Sequence, residues 1–261
     1  MTVSQIYSFV LDQWRKDHKG VVLPPDVFNN WIQFVSLDLF NGIVTQAESM
    51  AAQGNVDIAD VIFQTVIFGN FIKDAAIATA QDTIGGLTIG YIPTPADCKL
   101  PLGLMMMKPI NLGVSNIITK KSPLLKTKYR ASVLNGDVGN NPVYFVEDGR
   151  LEFIPNDLTD LILTYLRTPA APYFDFCMSS SDQVIFMTVG SHIDIVVNNG
   201  VSTNVLYDKN GAVLASGVSS DKMTASTYLS QTVELDWDET QHEKIANLVA
   251  EKLGINLRIQ K

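Results

Sequence analysis

Apolar residues recur at three- and four-residue steps near both ends of this chain and alternate with polar ones through much of its middle. Ile6, Phe9, Val10 and Trp14 line one side of a first helix, for which Ser4 offers an N-cap hydroxyl. Asp17-His18-Lys19-Gly20 ends it, Gly20 being suited to the left-handed conformation after a helix. Pro24-Pro25-Asp26 opens a second helix, since proline is best tolerated in a first turn. Phe28, Trp31, Ile32, Val35, Leu39 and Ile43, broadened by Val27, Phe34 and Leu37, predict a wide buried stripe running towards Gly54. Asp57 begins a shorter third helix that ends near Gly69.

The period then shifts to two. Ile72–Ala80 and Gly86–Ile92 read as strands around a Thr-Ile-Gly-Gly turn, and Pro93–Asp97 as the start of a short helix. Residues 98–140, rich in Gly, Pro, Ser and Asn, read as short helical pieces and loop. Val143–Val146 and Leu151–Ile154 flank Glu147-Asp148-Gly149-Arg150, a hairpin signal, and Leu161–Arg167 adds a strand. Four further strands are expected at 183–189, 192–197, 204–207 and 212–216, with turns at Asn198-Asn199-Gly200 and Asp208–Gly211. A last helix starts at an Asp238 cap with Gln241 three residues on, buries Ile245, Leu248, Val249 and Leu253, and stops at Gly254.

These elements predict an α+β fold. Residues 1–70 and 232–261 would form a helical bundle with the C-terminal helix packed on the N-terminal ones. Residues 71–173 would form an antiparallel β-hairpin and linker domain, and 174–231 a β-rich insertion.

Composition adds that the chain, 46% hydrophobic and 18% charged, has the makings of a core. The opening residues lack a positive n-region and an apolar h-region, so no secretory signal is expected. The stretch from Val56 to Ile77 is too charged to span a bilayer. The expectation is a soluble, intracellular protein whose Cys98 and Cys177 are free, buried thiols.

The net charge of −8 is unevenly placed. No acid occurs between Asp97 and Asp137, where Lys99, Lys108, Lys120, Lys121, Lys126, Lys128 and Arg130 all fall. The remaining 12 cations stand against 27 anions, so the rest of the chain carries −15. Such polarity suits self-association of a basic strip with a neighbour's acidic face. Solvated loop lysines explain it equally well, and a weak contact to nucleic-acid phosphates is a third reading.

Candidate chemistry is sparse. His18, His192 and His242 lie on unrelated elements, His18 at a helix end and His242 expected to be exposed. Gly85-Gly86 and Gly90 make no phosphate-cradling loop and are read as a β-turn. Asp157/Asp160 and Asp236/Asp238/Glu239 precede strands or helices, where aspartate caps or turns. Met105-Met106-Met107 reads as adaptable core filling. No catalytic, cofactor-binding or metal-binding residue is assigned, no cofactor is expected, and the chain is read as not an enzyme.

The order of elements resembles one family. Asp26-Val27-Phe28-Asn29-Asn30-Trp31 through Leu37-Asp38-Leu39-Phe40 forms an aromatic, then acidic-apolar, second helix. Ile92-Pro93-Thr94-Pro95-Ala96-Asp97 follows a strand, Gly149–Pro155 is a hairpin arm ending in proline, and Tyr165-Leu166-Arg167-Thr168-Pro169-Ala170-Ala171-Pro172 is a strand and its exit. Val233-Glu234-Leu235-Asp236-Trp237-Asp238-Glu239 leads into the closing helix through Leu253-Gly254-Ile255. This layout is similar to the head-to-tail connector proteins of tailed phages, especially the rings below the portal in short-tailed and crAss-like phages. The resemblance covers residues 1–173 and 231–261, and 174–231 is longer than that family's pattern. It implies a homo-oligomeric ring of twelve subunits in the virion, made in the bacterial host cytoplasm. Its partners would be the portal and the adjacent tail or ring proteins, with genomic DNA in an acidic lumen and no membrane. The alternatives are another tail or capsid-associated virion component, or an enzyme whose site is assembled from scattered residues.

Overall fold

The computed structural model describes residues 1–17, 22–54, 56–84, 87–106, 117–134, 142–147, 149–219 and 226–255. Along them the chain runs α1 (Val3–Asp17), α2 (Pro25–Gly54), α3 (Ile58–Gln64) and a 3-10 turn at Val66–Phe71. Then come β1 (Ile72–Ile77), β2 (Ala80–Ile84), β3 (Leu87–Pro93), β4 (Cys98–Met106) and β5 (Ile117–Lys120). A 3-10 turn at Pro123–Leu125 leads into α4 (Lys126–Leu134), followed by β6 (Val143–Glu147), β7 (Arg150–Ile154) and β8 (Leu161–Arg167). The rest is β9 (Phe176–Met178), β10 (Val184–Phe186), β11 (His192–Asn198), β12 (Val201–Tyr207), β13 (Val213–Ser216), β14 (Thr227–Leu229) and α5 (Glu239–Lys252). The fold is α+β, as the periodicity predicts.

The chain forms two compact units, 1–43 with 169–261 and 44–168, the division falling within α2. The boundaries expected at 70/71 and 231/232 are therefore displaced. Segment 174–231 belongs with the terminal helices because its aromatic residues complete their core. Phe174 is buried against Tyr7 at 4.4 Å and Phe28 at 6.1 Å, and stacks on Phe186 at 4.7 Å. Buried Asn29 adds a peptide-like link, donating to the Phe174 carbonyl (2.9 Å) and accepting from its N–H (2.7 Å).

In this first unit α1 packs on α5. The α1 cap is Thr2, not Ser4: Thr2 Oγ1 accepts from Gln5 N–H while Gln5 Oε1 accepts from Thr2 N–H, a reciprocal capping box. The buried stripe of α2 is narrower than expected. Phe28, Ile32, Val35 and Phe40 are buried, Trp31 is half-buried, and Val27, Phe34 and Leu37 are exposed. Hydropathy alone cannot tell an apolar residue facing a neighbour from one facing water. The order β13-β12-β11-β14 makes an antiparallel sheet whose inner face holds Ile193, Leu206 and Tyr228 with Cys177 and Met187. Asn199 (φ 50°) and Gly200 (φ 77°) turn β11 into β12, both in the left-handed region that an Asn-Gly turn supplies.

The second unit is an eight-stranded sheet of order β1-β8-β4-β5-β6-β7-β3-β2, in which only the described pair β5–β6 is parallel. Leu104, Met106, Tyr144, Phe153, Leu163 and Tyr165 meet in its core. The long strand β4 replaces the loop expected over 98–106, and no helix starts at Pro93. Pro101 and Gly103 obscure the alternation in sequence, and the pairing with β8 shifts register between Cys98 and Leu100 and between Pro101 and Gly103. An irregularity is where a strand tolerates proline. Met106 is core, Met105 is exposed, and Met107 lies outside the described residues. Gly90 is not at a turn but within β3, where a Cβ would stand 2.4 Å from the Phe153 ring and 2.6 Å from the Asn156 carbonyl oxygen. Gly85, Gly86 and Asp148 lie outside the described residues.

Candidate functional site

The hairpin β6–β7 is covered on both faces. Tyr144, Leu151 and Phe153 enter the sheet core, while Val143, Phe145 and Ile154 face α4, whose Tyr129 meets Phe145 edge-on at 6.0 Å. On that second face β7 places Glu152, only 1% exposed, opposite Phe145. Three cations converge on it. Arg130 donates to Oε2 at 3.0 Å, Arg150 to Oε1 at 2.7 Å, and Lys126 pairs with Oε2. Lys126 also bonds Glu147, and Arg150 lies 3.5 Å from Asp82. The hydrogen bond from Lys126 holds the Glu147 carboxyl below its usual range against the opposing effect of burial.

This arrangement changes the meaning of the basic strip. Lys126 and Arg130, read as surface charges, fasten α4 to the hairpin. Lys120 and Lys121 have no ion pair among the described residues, and Lys108 lies outside them. Just after these two lysines Leu124 and Leu125 are exposed, Leu124 to 93%, giving a stretch both basic and apolar. The sequence did carry a signal for Glu152: it is a lone carboxylate between Leu151 and Phe153-Ile154 in a strand with a buried pattern.

Motif residues separated in sequence meet as structural ties. Tyr165 of β8 donates to Asp97 at 3.0 Å, and Lys73 of β1 reaches the same carboxylate at 3.4 Å. Burial pushes the Asp97 carboxyl up, but these two donors outweigh it and leave it below the ordinary value. Arg167 donates to the Asn70 carbonyl at 3.3 Å and lies 6.0 Å from the Phe71 ring. Asp236 accepts from Ala170 N–H, and Asp238 caps α5 by accepting from Thr240 N–H. Buried Trp237 donates to Ser36 at 2.8 Å. His242 is buried, contrary to expectation, because it falls on the α5 face that carries Ile245, Ala246 and Val249. Its ring nitrogens bridge the Trp237 carbonyl and the Met1 ammonium, both at 2.9 Å.

His192 stacks on Tyr207 at 5.2 Å and lies 3.6 Å from Asp194, while His18 lies outside the described residues. Cys177 is buried and Cys98 half-buried, and burial pushes both thiols up to about 11, away from thiolate chemistry at neutral pH. Among the described residues no group of three or more His, Cys, Asp or Glu is placed to hold a metal. No described helix is long and apolar enough to cross a membrane.

Two further surfaces stand out. A shallow groove of about 400 Å³ runs between α1 and β10, lined by Tyr7, Leu11, Arg15, Phe174, Val184 and Phe186. Beyond the stretches paired with β13 and β14, the β11–β12 hairpin continues as a two-stranded ribbon. In it Val196 pairs with Thr203 and Asn198 with Val201, and Val196, Val197 and Val201 are exposed. No protein-family model and no curated protein matches this chain.

Proposed function

We propose that this chain is a structural subunit of a phage virion, one ring of the head-to-tail connector below the portal, through which the genome passes. The observation that carries this reading is the set of large apolar side chains left in water on three separate elements. They are Val27, Phe34 and Leu37 on α2, Leu124 and Leu125 in the Pro123–Leu125 turn, and Val196, Val197 and Val201 on the ribbon. Grouped exposure of this kind marks surfaces that partners cover. A closed ring repeats each weak contact around its circumference and so holds together without a tight pairwise interface.

The motif order given above supports this place in the virion. The −15 carried outside the basic strip suits a channel wall that lets DNA pass without retaining it through counterion release. Twelve subunits, with the portal above and a tail or ring protein below, are the expected partners.

Mass photometry of the purified chain, alone and mixed with the portal protein of the same genome, tests the reading. Closed oligomers of one mass are expected, on their own or templated by the portal. A chain that stays monomeric in both mixtures overturns it.

A further inference from the structure

Helix α2 holds Asp26, Asp38 and Glu48 but no Lys, Arg or His along its 30 residues. In the part that belongs to the first unit, Asp26, Val27, Asn30, Phe34, Leu37 and Asp38 are all exposed. At 3.6 residues per turn these six positions fall within an arc of about 120°. They make one acidic and apolar face, opposite the stripe that buries Phe28, Ile32 and Val35. Lys252 of α5 reaches the Phe34 ring at 5.8 Å, at the margin of this face.

The second unit presents the complementary chemistry. Lys120, Lys121, Leu124 and Leu125 occupy the end of β5 and the turn after it, within 39 residues (98–136) that contain no acid. On the adjoining β6–β7 hairpin the carboxylates are occupied within the unit. Glu147 and Glu152 are already engaged by Lys126, Arg130 and Arg150.

We infer that these two surfaces meet between copies of the chain: the acidic-apolar face of α2 in one subunit seats on the basic-apolar patch around Lys120, Lys121 and Leu124 of the next. The inference rests on the ring reading above and specifies which surfaces make the ring. Charge and apolar character match across the pair and clash within each surface. Face against face would set Asp26 and Asp38 against their own copies, and patch against patch would set lysine against lysine. Only a head-to-tail contact satisfies both. A contact of that kind leaves one face and one patch free at the ends of any chain of subunits, until a rotation closes the ring.

A charge swap tests this in the full-length chain. Asp26→Lys with Asp38→Lys makes one variant, and Lys120→Glu with Lys121→Glu the other. Each alone should associate at least tenfold more weakly than the native chain in mass photometry, with the portal present if templating proves necessary. Mixed together they should assemble again, because each reversed surface then finds its complement and each native surface finds a native one. The recovered rings should alternate the two variants and contain an even number of subunits. Recovery also shows that both variants are folded, and Asp38→Lys alone serves if the double change unfolds the first unit.

Normal assembly of both single-surface variants, or no recovery on mixing, overturns the pairing and leaves the ring reading standing. A native chain that is monomeric with and without portal overturns both. Loss of binding to anionic lipid vesicles in the Lys→Glu variant, with assembly unchanged, would assign the patch to a lipid surface instead.

Discussion

Replacing Glu152 by Gln keeps its shape and removes the charge on which Lys126, Arg130 and Arg150 converge. Lys126 keeps Glu147 and Arg150 keeps Asp82, so the heaviest loss falls on Arg130. Removing one partner of a buried ion pair costs about 3–5 kcal/mol, chiefly through the charge left behind. The three cations here retain side-chain exposures of 17%, 31% and 26%, so water offsets part of that penalty. The expected loss is therefore at the lower end, about 3 kcal/mol, confined to the second unit. Tryptophan fluorescence will not report it, because Trp14, Trp31 and Trp237 all belong to the first unit. Hydrogen exchange read by mass spectrometry on peptides from β6, β7 and α4 will. At 1.4 kcal/mol per decade the protected amides that open with this unit should exchange about 100-fold faster. Acceleration below about threefold would refute the claim that this carboxylate anchors α4.

Acid should loosen the same contact. Glu147 has a folded pKa depressed by its Lys126 hydrogen bond, so its contribution is fully present above the ordinary carboxylate range. It is lost as pH falls through the depressed folded value, and exchange of α4 amides should rise over that window in the native chain but not in Lys126→Met. In the first unit Phe28→Ala removes a fully buried ring packed on Tyr7 and Phe174, and should cost about 3–5 kcal/mol in urea unfolding followed by tryptophan fluorescence. Trp31→Ala, at a half-buried position beside Phe34, should cost only about 1–2 kcal/mol by circular dichroism. Equal losses at the two sites would mean that the exposed arc of α2 is misplaced.

The elements that could be read from the chain are those whose local chemistry agrees with their surroundings. The β6–β7 hairpin and the β11–β12 turn combine alternation with glycine where φ must be positive, at Gly149 and Gly200, and both appear as expected. The strand β8, a run of apolar residues that stops at Thr168-Pro169, appears as expected too. By contrast β4 hides behind Pro101 and Gly103, whose cost is absorbed by irregular pairing that only the neighbouring strand reveals. Exposure was the least legible property. Val27 and Phe28 are adjacent and similarly apolar, yet one faces water and the other the core. The basic strip could be counted but not apportioned, since Lys126 and Arg130 find their carboxylates on the two strands of a hairpin some twenty residues further on.

The ribbon formed by β11 and β12 bears on how the chain behaves while this surface is uncovered. From Ile195 to Tyr207 the chain has no charged residue, and on the described edge beyond β13 only β11 pairs with Val201–Thr203. Edge strands in most proteins carry a lysine, a proline or a bulge that discourages pairing with strangers. This one has no lysine or proline, and its one irregularity, at Leu206/Tyr207, lies on the stretch paired with β13 and leaves Val201–Thr203 unguarded, so chains that meet tip to tip can stick in register-free stacks. Recovery of dispersed chains should then fall as their concentration rises. Slower expression, or a single lysine at Val197, should raise the recovery of dispersed chains more than any change in the core.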